Sequence, residues 1–425
     1  MGEIQLPPHW KVVKLNDISQ EIQSGGTPYR KKPEFYGGSI SWIKTLDLNE
    51  NIVIDSEEKI TEAGFKSIRG KIRPINTVMV AMYGGKGTVG KSGILGITAT
   101  TNQAVCCIEP NPNNFDSFYL LYYLIYFRPI WMRYAIGTRK DPNISKGIIE
   151  KTEIPFPPLP EQKTIAHTLR TIQKAKETRQ RELELERERK AALMQYLFTH
   201  GTRNEPRKQT EIGKIPESWE VVTLDKVCEF LQYGTSKLCD SDSSGIPVLR
   251  IPNVISGKIN IFDLKFTKPE KKEFEKLSLK TGDLLFVRTN GRKEYIGRCA
   301  VFCGKPPHAM FASYLIRVRL KVNILLPEFF QFYTMTHRGK SYLSGRASNA
   351  ADGKFNINTQ IIKAVLVPIP PLDEQHEVIR TLQACDRKIQ ALEKEIALTD
   401  ELFHAMLEQL MTGKISTQPL TETYV

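Results

Sequence analysis

One stretch of this chain has the spacing of a phosphate cradle. GKGTVGKS (85–92) matches G-x-x-x-x-G-K-[ST], in which backbone N–H groups and a lysine hold the phosphates of a nucleotide. That chemistry needs a helix to begin at Lys91, so that free N–H groups and the helix dipole meet the anion. The next residues, GILGITATTNQAVCCI, are rich in glycine and β-branched side chains and have no amphipathic helical face. The expectation is therefore a Gly-rich hairpin with basic residues, and the nucleotide hydrolase is kept only as an alternative. A second alternative, a stand-alone DNA methyltransferase, needs a Gly-rich cofactor loop and an Asn or Asp followed by two prolines and an aromatic residue. The nearest match is NPNNF (111–115), where Asn113 stands in place of the second proline. The seven cysteines (106, 107, 228, 239, 299, 303 and 385) are scattered and odd in number, which fits a cytoplasmic chain and not a secreted disulfide framework. Cys299 and Cys303 have no second pair with which to close a zinc site. No catalytic site and no metal site is expected on this chain.

The remaining chemistry is electrostatic. Lys and Arg number 60 against 47 Asp and Glu in 425 residues, a formal charge of +13, so a polyanion such as nucleic acid is the natural partner. No run of about 18 apolar residues occurs, so no membrane span is expected. The length suits two or three domains, and the sequence repeats itself. LPPHWKVVKL (6–15) returns as IPESWEVVTL (215–224), and NISKGIIEKTEIPFPPLPEQ (143–162) returns as NINTQIIKAVLVPIPPLDEQ (356–375). TVMVAMYGG (77–85) and GDLLFVRTNG (282–291) share the pattern of a buried strand running into a glycine-bearing loop. A period of about 210 residues is too long for a solenoid and implies two fused copies of one domain. Each copy reads as α/β, with β-rich runs such as SISWIKTLDL and IPVLRIPNVI. In the first copy an aromatic helix, FDSFYLLYYLIYFRPIWMRYA, comes next, and its rings are assigned to packing. A basic, glycine-bearing loop closes each copy: IGTRKDPNIS (136–145) and SGRASNAADGKFNIN (344–358).

After each Pro-Pro-Leu the prolines and glycines disappear, and a long helix is expected. The second carries a heptad seam of Val378, Leu382, Cys385, Ile389, Leu392, Ile396, Thr399, Phe403, Met406 and Leu410. The first keeps it as Ile165, Leu169, Ile172, Leu183, Leu193 and Leu197, with Lys176, Arg179, Glu186 and Lys190 at the polar middle positions. So narrow a seam suits a helix partner, and chain economy favours antiparallel pairing. A parallel pair would carry the chain back along the helix for roughly 55 Å. The expected fold is thus α/β (α+β): two similar domains, separated by two long helices that form an antiparallel coiled coil, with a pseudo-two-fold internal repeat. The expected segments are a first recognition domain at 1–157, a spacer helix at 158–200, a linker at 201–210, a second recognition domain at 211–370, a second spacer helix at 371–412 and a tail at 413–425.

Two domain-plus-helix copies, each with W-x-V-V at the start and P-x-P-P-L-x-E-Q before the helix, resemble the specificity subunits of type I restriction-modification systems. The resemblance spans nearly the whole chain and includes MYGGKGTVGKSGI and the TNQA core of the first copy. It implies a non-catalytic, DNA-binding subunit that reads a split double-stranded target, one half per domain. Its implied partners are two methylation subunits and the restriction/translocation subunits. S-adenosylmethionine, ATP and Mg would then be held by those partners, with no cofactor on this chain. On that reading the DNA-contacting candidates in the first copy are Tyr29, Arg30, Lys31, Lys86, Lys91, Arg139 and Lys140. In the second they are Arg288, Asn290, Arg292, Lys293, Arg346, Asn349 and Lys354. A coiled-coil scaffold that never touches DNA is the remaining rival, and a salt-dependent duplex affinity separates the two.

Overall fold

The two W-x-V-V segments carry adjacent β-branched valines, which favour extended backbone, and each zips to the strand that precedes a long helix. In a computed structural model of the chain, Lys11–Lys14 pairs antiparallel with Glu153–Phe156, and Glu220–Thr223 with Leu366–Ile369. The structure describes residues 6–68, 70–85, 87–136, 143–349 and 353–417. It divides into two units, residues 1–180 with 394–425 and residues 181–393. Each unit therefore takes half of each long helix.

A related sheet is built in both units, mixed in the first and antiparallel throughout in the second. In the first, the strand order is Ser19–Ser24, Val105–Pro110, Val78–Ala81, Ser92–Leu95 and Ile52–Val53. In the second it is Cys228–Tyr233, Leu315–Leu320, Leu284–Val287 and Cys299–Val301. The central strands Val78–Ala81 and Leu284–Val287 are wholly buried, as continuous apolar runs should be. A smaller sheet leans on each: Tyr36–Ile43 runs parallel to Thr100–Thr101, and Ile246–Leu249 parallel to Met310–Phe311. The aromatic helix Ser117–Ile136 packs Tyr119, Leu120, Tyr122, Tyr123 and Trp131 into the core of the first unit. In the second unit its counterpart breaks into Pro327–Met335 and His337–Gly345, because Thr336 takes an extended conformation and caps the second piece through Gly339 N–H. The hydroxyls of Tyr123 and Tyr333 both donate back to the strand before the long helix, at Glu153 O (3.0 Å) and Leu366 O (2.8 Å).

The Glu-Gln pair of P-x-P-P-L-x-E-Q explains why that motif sits where it does. Glu161 Oε2 accepts the indole N–H of Trp10 at 3.1 Å, and Glu374 Oε2 that of Trp219 at 2.9 Å. Gln162 donates to the carbonyls of Asn114 and Pro157 while accepting from Asp116 N. Gln375 does the same with Ile324, Pro370 and Leu326. The end of the opposite helix closes each arrangement. Gly201 and Gly413 both terminate a long helix at φ +66. A Cβ at Gly201 would lie 2.5 Å from Glu374 Oε1, and one at Gly413 2.3 Å from Pro7. The segment 201–210, expected as a linker, is ordered: Thr202 N donates to Glu374, and Arg207–Thr210 forms a hairpin with Gly213–Pro216.

The long helices, Leu159–His200 and Leu372–Met411, pair antiparallel in both units. In the first unit Lys176 meets Asp400 and Arg179 meets Glu395 (2.9 Å). In the second, Arg187 meets Glu393 and Lys190 meets Asp386, both at 2.7 Å, and Lys388 lies 3.5 Å from Glu182 and Glu186. Charged positions in the seam of the first helix thus have opposite charges waiting on the second. Ile165, Leu169 and Leu410 are buried in the core of the first unit, with Phe403 and Met406 packed against it. Leu197, Val378 and Leu382 are buried in that of the second, where Leu193 packs alongside. Leu183 and Leu392 are buried between these ends, while Ile172, Ile389 and Ile396 are half-buried.

This packing has two measurable outcomes. Glu374→Ala strands the buried Trp219 N–H and the start of the 202–210 segment, and should lower stability by about 3 kcal/mol in chemical denaturation. Asp400 is held below the usual carboxylate range chiefly by its hydrogen bond to Lys176. A lowered folded-state value stabilises above the unfolded value and is lost as pH falls through the folded one. Protection of the first unit's helix pair in hydrogen exchange should therefore decline as pH drops below about 4, and Asp400→Asn should remove that part of the pH dependence.

Candidate nucleic-acid interface

The residues of GKGTVGKS do not start a helix. Lys91 leads directly into the buried strand Ser92–Leu95, which pairs antiparallel with Val78–Ala81, and Gly87 (φ +82) and Gly90 (φ +72) shape the hairpin between them. Without a helix N-terminus at Lys91 the phosphate-cradle reading has no donor set. NPNNF is likewise structural: Asn111 Oδ1 accepts Asn113 N, and Phe115 is buried and stacked on Phe156. Burial pushes the thiols of Cys106 and Cys299 up to about 12 and that of Cys107 to about 11, so they remain protonated and poor ligands. Among the described residues no group of three or more His, Cys, Asp or Glu is placed to hold a metal ion.

In the second unit the basic candidate loops come together on a small three-stranded sheet, Thr289–Asn290, Phe355–Asn356 and Ser348–Asn349. Its register sets Asn290, Phe355 and Asn349 opposite one another in one row, so their side chains share a face. The ammonium of Lys293 lies 6.0 Å from the Phe355 ring. Asn290 Oδ1 accepts Arg292 N (2.9 Å), which fixes the turn and leaves the Arg292 side chain exposed. Arg288 is held differently: its guanidinium donates to Ser313 O (3.2 Å), lies 4.7 Å from the Tyr233 ring, and has a buried Nε with no partner. Arg346 rests on Tyr342 (4.4 Å), and Lys354 is exposed. Two tyrosines not anticipated from sequence flank this cluster: Tyr233, and Tyr314, which is 58% exposed and accepts Arg288 N through its carbonyl. Tyr233 adjoins the turn at Gly234, in the position that Ser24 holds in the first repeat, and that alignment was the available signal.

The first unit uses the same frame with other side chains. Tyr83 bridges Asn143 as Thr289 pairs with Asn356. Lys91 is half-buried at the base of the hairpin. Tyr29, 60% exposed, and Lys31 project from the turn at 29–32. Arg30 is committed within the fold: it grips Glu58 with both terminal nitrogens (3.1 and 3.0 Å) and lies over the rings of Tyr36 and Trp42. That hydrogen bond raises the Arg30 pKa and lowers that of Glu58, so Arg30 stays a cation with its fork occupied. Lys86, Arg139 and Lys140 lie outside the described residues.

No helix among the described residues is long and apolar enough to cross a membrane. The family model for the type I restriction modification DNA specificity domain matches twice, at residues 7–187 and 216–399. The MjaVIII specificity subunit of Methanocaldococcus jannaschii is 27% identical over 99% of this chain and 96% of its own length. The EcoKI specificity subunit of Escherichia coli is 24% identical over 98% and 92%. Among solved structures, a chain from work on assembly and conformational transition of the type I R-M system covers 97% of this chain and 100% of its own, with a TM-score of 0.59 at 16% identity. The S subunit from M. genitalium gives 0.57 at 15% identity, covering 96% and 97%. Those two likenesses speak to the fold, and the doubled domain match speaks to descent: this chain belongs to the type I restriction-modification DNA specificity family.

Proposed function

We propose that each unit reads one half of an asymmetric, bipartite DNA duplex, and that the chain scaffolds methylation and restriction/translocation subunits that carry the chemistry. The observation that supports this best is the row Asn290, Phe355 and Asn349 with Arg288, Arg292 and Lys293 around it. Asparagine amides pair in bidentate fashion with adenine edges, an aromatic ring packs on a thymine methyl, and the cations neutralise phosphates. The first unit keeps the backbone frame but places Tyr83 and Gly84 where the second has Thr289 and Asn290, and Lys91 where it has Arg298. Like frames with unlike side chains suit two different half-sites. Tyr29 and Lys31 are the first unit's exposed candidates, and Arg346, Asn349 and Lys354 extend the second's.

S-adenosylmethionine, ATP and Mg belong, on this reading, to the partner subunits, of which two would methylate. The charged run RQRELELERERK (179–190) serves helix pairing through Arg179, Arg187 and Lys190. The outward faces of the long helices remain for the methylation subunits. A helix of 42 residues spans about 63 Å, nearly two turns of duplex at about 34 Å each, so helix length would set the unread gap between half-sites.

In complex with its methylation subunits, the Asn290→Ala chain should lose about tenfold to a hundredfold affinity for the target and relax preference in one half-site alone. Duplex binding of the intact complex should weaken steeply with salt, and a flat salt dependence would sink the DNA reading. Inserting one heptad into both long helices together should widen the gap between methylated half-sites by about three base pairs, as mapped by methylation sequencing.

A further inference from the structure

The hairpin loop that joins Val78–Ala81 to Ser92–Leu95 contains Gly84, Gly87 and Gly90, all at positive φ, so its own sequence does little to hold one shape. One guanidinium gathers it. Arg128, the first cation along the aromatic helix, donates Nε to Val89 O (3.3 Å) and Nη2 to Gly87 O, while Nη1 meets the Glu50 carboxylate. Gly90 approaches the same side chain so closely that an added Cβ would lie 3.0 Å from Arg128 Cγ.

Glu50 is itself anchored. It adopts φ 61, unusual for a residue with a side chain, and its N–H donates to Ser92 O at 2.8 Å. Its carbonyl accepts from Gln173 Nε2 (3.2 Å) on the first long helix, and the neighbouring Asn51 amide donates to Glu177 there. Gln173 in turn accepts the hydroxyl of Tyr122 at 2.8 Å, tying the aromatic helix into the same set. The chain of contacts runs from Gln173 and Glu177 through the 49–51 turn to Arg128 and then to the carbonyls of 87 and 89. Among the described residues the second unit has no such fork. Arg338, just past the break at Thr336, lies against Gly213, and Gln331 holds the carbonyls of Gly257 and Cys299 instead.

We propose that Arg128 is a positioning residue for DNA recognition by the first unit: it fixes the Gly-rich loop in its reading shape and fastens that loop, through Glu50, to the long helix. This rests on the proposed function. Its side chain is 25% exposed and its three nitrogens are spent on protein groups, so it acts through the loop and not by touching DNA.

The test uses the chain in complex with its methylation subunits and duplexes carrying the mapped target or single-base changes in either half-site. Arg128→Lys keeps the charge but loses the fork. It should cut discrimination at least tenfold in the half-site that Asn290→Ala leaves intact, with the other half-site and the salt slope unchanged. Equal losses in both half-sites, or no loss, would overturn the proposal. So would a salt slope shallower by about one, which would make Arg128 a phosphate contact. Thermal unfolding is followed in parallel; if Arg128→Lys fails to fold, Glu50→Gln, which keeps shape and loses only the charge, must show the same selective relaxation. A wild-type complex that binds every duplex equally would sink the functional reading itself, an outcome distinct from any of these.

Discussion

Taking a carboxylate out of water is costly unless donors surround it, and this chain does so twice, at the first turn of each long helix. Glu161 is met by the Trp10 indole, by His9 Nε2 at 2.8 Å and by the Thr417 hydroxyl at 3.4 Å. Glu374 is met by the Trp219 indole, by Thr202 N at 2.8 Å and by Arg203 at 3.8 Å. Each carboxylate therefore requires three segments at once: the start of its domain, the start of its own helix, and the chain just beyond the end of the other helix. None of these segments can be displaced without leaving a buried charge or an indole N–H unsatisfied. That requirement, together with the apolar packing of the helix ends, ties domain and helix together.

With the frame held from behind, loops at the far ends of the strands are free to differ. The second unit stiffens its cluster with a three-stranded sheet and aromatic rings beneath its cations. The first relies on a glycine loop gathered by one arginine. The helix pair shows a related economy of design. Lys176, Arg179, Glu186 and Lys190 occupy seam positions where leucine would pack well in many registers. All four meet opposite charges together in the observed antiparallel register, which favours that direction and alignment at modest cost in stability.

Much of the frame was legible in the sequence because it is written in period and repetition. The repeated W-x-V-V segments marked the start of each copy, and the heptad seam marked the second long helix. The doubled P-x-P-P-L-x-E-Q marked two copies of one domain. GKGTVGKS was legible from its C-terminal flank, since Ser92 to Leu95 has the composition of a buried strand. The candidate contacts were less so. Arg30 looked like a free cation in a Tyr-Arg-Lys-Lys run, and only the fold reveals Glu58, Tyr36 and Trp42 around it.

Sequence alone determined that there are two α/β copies, that a long helix comes after each, and that charge favours a polyanionic partner, because composition and periodicity are local properties of the chain. Tertiary structure decided which polar groups are used up and which are available. It brought Asn290 into one row with Phe355 and Asn349 from a strand far earlier in the sequence, and it set Arg128 beneath a loop about 40 residues away. It also gave the Glu-Gln pair its role. Hydrogen-bond partners are chosen by proximity in space, and no spacing along one chain encodes them.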